Sequence, residues 1–138
     1  MYLLIVKGRL SKDRGETKEA RALYDEALTL AHDLEDIFMQ KNVYNLIATS
    51  YELDGNHMLA LPIFEKAMNI KCHPDSMACL RQDVKIRFNQ SAFYRSLDSI
   101  EQAIESLDLA DQLMKSHNIN DSLYVVCLLY TSPSPRDS

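Results

Sequence analysis

The sequence predicts an all-α protein built from antiparallel helix hairpins that stack as an array. The first observation behind this is a recurring triad: an alanine, a large apolar residue four places on, and a second alanine seven places on. It occurs at Ala20-Tyr24-Ala27, Ala60-Phe64-Ala67 and Ala103-Leu107-Ala110. Each triad keeps to one helical stripe, small where a neighbouring helix comes close and bulky where the gap between helices needs a plug. The second observation is punctuation. Gly15, Asp54-Gly55-Asn56, Pro74-Asp75 and Asn118 with Asn120 separate stretches of helical periodicity. Composition agrees, because 46% hydrophobic and 25% charged residues in a chain of 138 suit one soluble domain with a real core.

The first helix is predicted from about Tyr2 to Lys12, with the turn at Gly15. The second runs from about Glu16 to Leu34 and carries Ala20, Tyr24, Ala27, Ala31 and Leu34 on one face. A third is predicted from about Asp36 to Leu53, and a fourth from about His57 to Ile70 with Asn56 as its N-cap. Pro62 falls inside the fourth, where a proline predicts either a later start or a kink near Met58. After Pro74 a fifth helix is predicted from about Ser76 to Arg95. Asp98, with Glu101 three residues on, has capping-box spacing and predicts a sixth helix to about Ser116. Residues 120–126 would open a fourth hairpin.

Charge and motifs exclude several function classes. The net charge is -5 with both signs mixed throughout, which gives no general case for nucleic acid. The apolar run Tyr2 to Val6 is too short for a signal-peptide core and leads into Lys7 and Arg9, so a cytoplasmic protein without a membrane segment is expected. Three cysteines without framework spacing fit reduced thiols in that compartment. Cys72, His73 and Cys79 lack the second ligand pair of a zinc site, so no metal is expected. No phosphate loop, metal motif or nucleophile context is present, and neither enzymatic activity nor a cofactor is predicted.

The ends read differently from the middle. Residues 127–138 break the helical pattern, and Cys127 to Asp137 resembles the translation of a transposase adaptor used in sequencing-library preparation, so a non-native tail is expected there. Met1 leads straight into an apolar helix with no capping residue. Residues 1–126 are therefore expected to be a fragment of a longer repeat protein.

On Leu4, Gly8, Gly15, Ala20, Tyr24 and Ala27, then Tyr44, Ala48, Tyr51, Gly55, Ala60, Phe64 and Ala67, the chain resembles the tetratricopeptide repeat (TPR) family. A third match comes from Ser91, Tyr94, Ala103, Leu107 and Ala110, with Asp98 in place of the turn glycine. The resemblance implies a right-handed solenoid, with repeats at about 1–35, 36–73 and 76–117 and the start of a fourth at 120–126. The family period is about 34 residues; here Ala20 to Ala60 is 40 and Ala60 to Ala103 is 43. That longer period, with the phrase Leu30-Ala31-His32-Asp33-Leu34-Glu35-Asp36, is similar to the sensory repeat arrays of bacterial signalling proteins.

The resemblance also implies a function. Stacked hairpins create a concave surface lined by the first helix of each pair, and this surface binds a protein or peptide segment. On the positions that line it in the family, the first repeat offers Tyr2, Ile5, Arg9 and Lys12, and the second offers Asn42, Asn45, Thr49 and Glu52. The third offers Arg81, Lys85, Phe88, Ala92 and Arg95. The groove residues expected to contact peptide are Arg9, Lys12, Asn42, Asn45, Thr49, Arg81, Lys85, Phe88 and Arg95. Amides that donate and accept, between basic ends, suit an extended acidic peptide. The carboxylate-clamp pattern of chaperone-binding members is matched securely only at Lys85, so that role is not expected. The alternative function is a structural scaffold or self-associating array, a homo-oligomer held through stacked ends.

Overall fold

The computed structural model describes residues 1–119, and the predicted opening of a fourth hairpin and the adaptor-like tail lie outside them. The described residues form six helices, α1 (Tyr2–Asp13), α2 (Thr17–Asp33), α3 (Ile37–Leu53), α4 (His57–Asn69), α5 (Met77–Ser96) and α6 (Ile100–Ser116), with no strand among them. The all-α expectation holds, and every predicted helix is present with boundaries within two residues. The chain divides into two compact units, Met1–Gln82 and a second that begins at Asp83.

One turn chemistry generates most of the first unit. At Gly15, Glu35 and Gly55 the backbone is left-handed, with φ of 79°, 53° and 73°. Each of these residues donates its N–H to the carbonyl three back, and the next residue donates to the carbonyl five back. The pairs are Gly15 to Lys12 and Glu16 to Ser11, Glu35 to His32 and Asp36 to Ala31, Gly55 to Glu52 and Asn56 to Tyr51. This is the Schellman arrangement, which satisfies carbonyls that a helix end leaves bare. The residue after each left-handed position is at once the N-cap of the following helix. Helix, one left-handed residue and next helix therefore repeat every 20 residues. Asp98 (φ 60°) and Asn118 (φ 53°) repeat the geometry in the second unit.

These turns correct two capping expectations. Asp98 does not open α6; it holds the left-handed position that glycine fills at 15 and 55, and Ser99 is the N-cap, without a side-chain capping bond. The capping box with Glu101 is therefore not formed. Asn56 does stand at the N-cap of α4, but its side chain makes no capping bond either. Side chains cap elsewhere: Asp36 accepts from the Met39 N–H at 3.0 Å and Ser76 from the Cys79 N–H at 3.4 Å.

The 43-residue spacing also has a location. Helices α2 to α5 begin at 17, 37, 57 and 77, so the 20-residue step is kept through the fifth, and α6 begins at 100 instead of 97. The three extra residues lie in α5, which has 20 residues where α3 has 17.

In the first unit α1 packs on α2, α2 on α3 and α3 on α4. Ala20, Tyr24, Ala27 and Ala31 of α2 are fully buried with Met39 and Val43 of α3, and Ala60, Phe64 and Ala67 of α4 repeat the pattern. Burial along α4 follows that of α2 forty residues earlier almost residue for residue. In the second unit Ala103 and Ala110 are buried, but Leu107 is only half-buried and Ser106 is buried beside it, so the third triad does not plug its stripe as the first two do. Val84, Ile86 and Phe93 of α5 are buried there instead.

A polar clamp joins α2 to α3. Thr17 Oγ1 and Arg21 Nη1 donate to the two Asp54 carboxylate oxygens at 2.7 and 2.8 Å, and the Arg21 guanidinium lies 4.3 Å from the Tyr51 ring centre. Those two hydrogen bonds, Thr17 first, hold the Asp54 carboxyl below the usual carboxylate range.

Helix α4 ends differently. It stops after 13 residues at Asn69, and Ile70 is extended instead of left-handed. Pro62 neither delays its start nor ends it, because α4 begins at His57 and runs through the proline. The carbonyls of its last turn are served by Lys41 of α3, whose fully buried amine donates to Ala67 O at 2.6 Å and to Ile70 O. Cys72 and Cys79 are joined by a disulfide across the α4–α5 connection, with Cα atoms 5.6 Å apart. This corrects the expectation of free thiols. A separation of seven residues looked uninformative in sequence, but the turn at His73 to Ser76 brings the two ends together.

Candidate functional site

The predicted groove residues fall into both units. Arg9, Lys12, Asn42, Asn45, Thr49 and Arg81 belong to the first, and Lys85, Phe88 and Arg95 to the second. Within the first unit, the 40-residue register sets Arg9 and Lys12 of α1 at the positions that Thr49 and Glu52 hold on α3.

Their availability differs. Arg9 is exposed and Lys12 half-buried. Asn42 is half-buried and already engaged, since its Oδ1 accepts from Gln82 Nε2 at 3.4 Å and its amide lies 3.7 Å from the Met39 sulfur. Asn45 is only 5% exposed, and Ile5 at the equivalent place on α1 is part of the core, which removes Ile5 from any groove. The Thr49 hydroxyl donates back to the carbonyls of Asn45 and Leu46. Arg81, Phe88 and Arg95 are half-buried, and Lys85 is exposed.

Glu52 is the most perturbed acid of this face. Burial pushes its carboxyl above the usual range, because the charged form loses hydration without a compensating cation. A raised carboxyl is a stability cost when ionised. The benefit of the neutral form is fully present below the unfolded pKa and lost as pH rises through the folded one. Glu52→Gln is therefore expected to raise the melting temperature at pH 7 and leave it unchanged at pH 3.5, which paired thermal melts would show.

The second unit contains a feature that sequence reasoning missed. A cavity of about 120 Å³ is bordered by Arg87, Gln90 and Tyr94 of α5 and by Gln102, Glu105, Ser106 and Leu109 of α6. Arg87 Nη1 donates to Gln90 Oε1 at 3.0 Å, while Arg87 Nε is buried and has no hydrogen-bond partner among the described residues. Gln90 is 4% exposed and Ser106 5%, whereas Glu105 and Gln102 are exposed. Burial lowers the Arg87 pKa from the usual arginine range; the charges of Asp83, then Glu105 and Tyr94, act the other way.

A signal for it was present. Asp83, Arg87, Gln90 and Tyr94 follow each other at four, three and four residues, a polar stripe along a helix that also buries Val84, Ile86 and Phe93. The groove positions implied by the family resemblance fall instead on the stripe of Arg81, Lys85 and Arg95. Among the described residues no cluster of histidine, cysteine or acids could hold a metal, and no helix is long and apolar enough to cross a membrane. No protein-family model, no curated protein and no solved structure matches this chain.

Proposed function

We propose that this chain is a TPR-like interaction module that binds an extended, acidic peptide or protein segment along the face carried by α1 and α3 of the first unit, as the sensing region of a larger signalling protein. The observation that carries the reading is the strict register of α1 and α3. Packing places the two helices on either side of α2, forty residues apart in sequence, so the same face recurs with Arg9 and Lys12 on one and Thr49 and Glu52 on the other. Recurrence of one face at a fixed step is what an extended ligand reads. Arg9 and Lys12, one turn apart, supply the cationic end.

A second reading, self-association through the ends of the array, is favoured by a specific feature of α1. Leu3, Val6 and Leu10 are 65%, 52% and 59% exposed, yet forty residues on the same positions hold Val43, Leu46 and Ser50, buried at 0%, 8% and 0%. The face that α3 turns to α2 is thus open on α1 and could receive another helix.

One experiment separates the two. Fluorescence anisotropy against a panel of acidic and basic peptides, with sedimentation of the same samples, should show saturable binding of acidic peptides by a monomer. The double change Arg9→Ala, Lys12→Ala should weaken that binding by roughly tenfold, the worth of one charge-assisted hydrogen bond. Binding that ignores both changes would end the groove reading, and concentration-dependent mass abolished by Val6→Glu would establish self-association.

A further inference from the structure

The cavity between α5 and α6 has the donors of an anion site, and the Glu105 carboxylate at its border is exposed to water. We propose that it binds a carboxylate, held by Arg87 Nε and the Gln90 amide, from either a short-chain acid or the carboxyl group of a bound peptide.

The argument begins with the hydrogen bond between the two residues. Gln90 Oε1 accepts from Arg87 Nη1, which fixes the amide so that its Nε2 is the end left over. That bond leaves the amide nitrogen uncommitted. Arg87 likewise spends Nη1 on Gln90 and leaves Nε, which lies on the opposite edge of the planar fork, buried and unpartnered. Two donor groups thus border one cavity, and one of them is the buried Nε–H of a half-buried cation. An unmade hydrogen bond on a buried charged group is costly, so an acceptor is wanted at that edge. The Nε–H edge of arginine offers two parallel donors spaced for two carboxylate oxygens.

Size limits the ligand. An engineered apolar cavity of about 150 Å³ takes one benzene ring, so about 120 Å³ suits a group of a few heavy atoms, a carboxylate with one or two carbons behind it. The charges facing Arg87 come from both helices. Asp83 on α5 is 8% exposed, and Glu105 on α6 is exposed at the border of the cavity. Glu105 opposes an incoming anion, but as a solvated group it does so weakly. It also makes a sensitive control, because its removal should favour the ligand.

The test uses the full chain, labelled with ¹⁵N, and follows the Arg87 Nε–H resonance while sodium propionate or the isosteric propionamide is added to roughly 50 mM, a range that detects millimolar binding. Parallel titrations use a short peptide with a free carboxyl terminus and the same peptide amidated. The expected result is a saturable shift with propionate and none with propionamide, lost in Arg87→Gln and tightened by about threefold in Glu105→Gln. Should Arg87→Gln fail to fold, Glu105→Gln decides: tighter binding supports the site and unchanged binding overturns it. Saturation by propionate assigns the site to free acids. Saturation only by the free-carboxyl peptide assigns it to a peptide terminus. A linear response to every titrant, or equal binding of acid and amide, overturns the proposal. Because the Arg9 and Lys12 changes lie in the other unit, loss of groove binding and loss of this site are separately visible.

Discussion

Replacing Lys41 with Met is expected to lower the unfolding free energy by about 2–4 kcal/mol, the cost of leaving one buried and one half-buried acceptor without donors. Lys41 is fully buried, an uncommon place for an ammonium, and its hydrogen bonds to Ala67 O and Ile70 O explain how it stays there. Four of the other five helices end in the Schellman turn with their caps fully described, and α5 shares its hydrogen bonds. Helix α4 alone has no left-handed residue after it, so its final carbonyls need a donor from elsewhere. A cation at that place also meets the negative end of the helix dipole. Methionine matches the volume of the stem but supplies neither donor nor charge, so the loss isolates the cap from the packing. Urea unfolding of Lys41→Met against the parent would measure it. A change under 0.5 kcal/mol would mean that water replaces the amine at no cost.

Helices α2, α4 and α6 were the most legible because each is amphipathic by itself, and local periodicity is what a single sequence records best. Triads at Ala20 and Ala60 marked core positions that are fully buried. The left-handed turns were legible where glycine or asparagine stood in that position, at Gly15, Gly55 and Asn118. Glu35 and Asp98 adopt the same conformation at φ of 53° and 60°, and nothing about a charged residue announces that. Asp98 instead looked like an N-cap, since aspartate favours both places and only the backbone decides between them. Lys41 was illegible for a different reason. Its role depends on a helix 26 residues away that stops short. The disulfide between Cys72 and Cys79 likewise depends on the shape of a turn and not on spacing.

The site divides along the same line. Arg9 and Thr49 could be placed by register, but Asn42 and Asn45 could not be seen in advance to be spent inside the fold, one on Gln82 and one by burial. Arg87 gives no sign of its own, because an arginine on a polar stripe ordinarily extends to water.

Gly8→Val is expected to cost about 3 kcal/mol, at the upper end of what overpacking does, and to act on α1 alone. A Cβ at Gly8 would lie 2.5 Å from Tyr24 Cε1 and 2.9 Å from Cδ1, well inside contact distance. Tyr24 has no room to retreat, being fully buried among Ala20, Ala27 and Val43. The equivalent position on α3 is Ala48, and Phe64 holds that of Tyr24, so the second step of the repeat carries a methyl where the first has none. Valine adds two carbons on a stiff β-branched stem and gives no rotamer that avoids the ring. Because α1 packs on α2 from one side, the strain is relieved by α1 lifting away while α3 and α4 stay paired. Hydrogen exchange should therefore show lost protection for residues 5–13 with little change in α3. If Tyr24→Leu in the same chain restores α1 protection, the overlap with the ring is the cause. If it does not, the cost lies in the backbone of α1 and the close approach is not what requires glycine there.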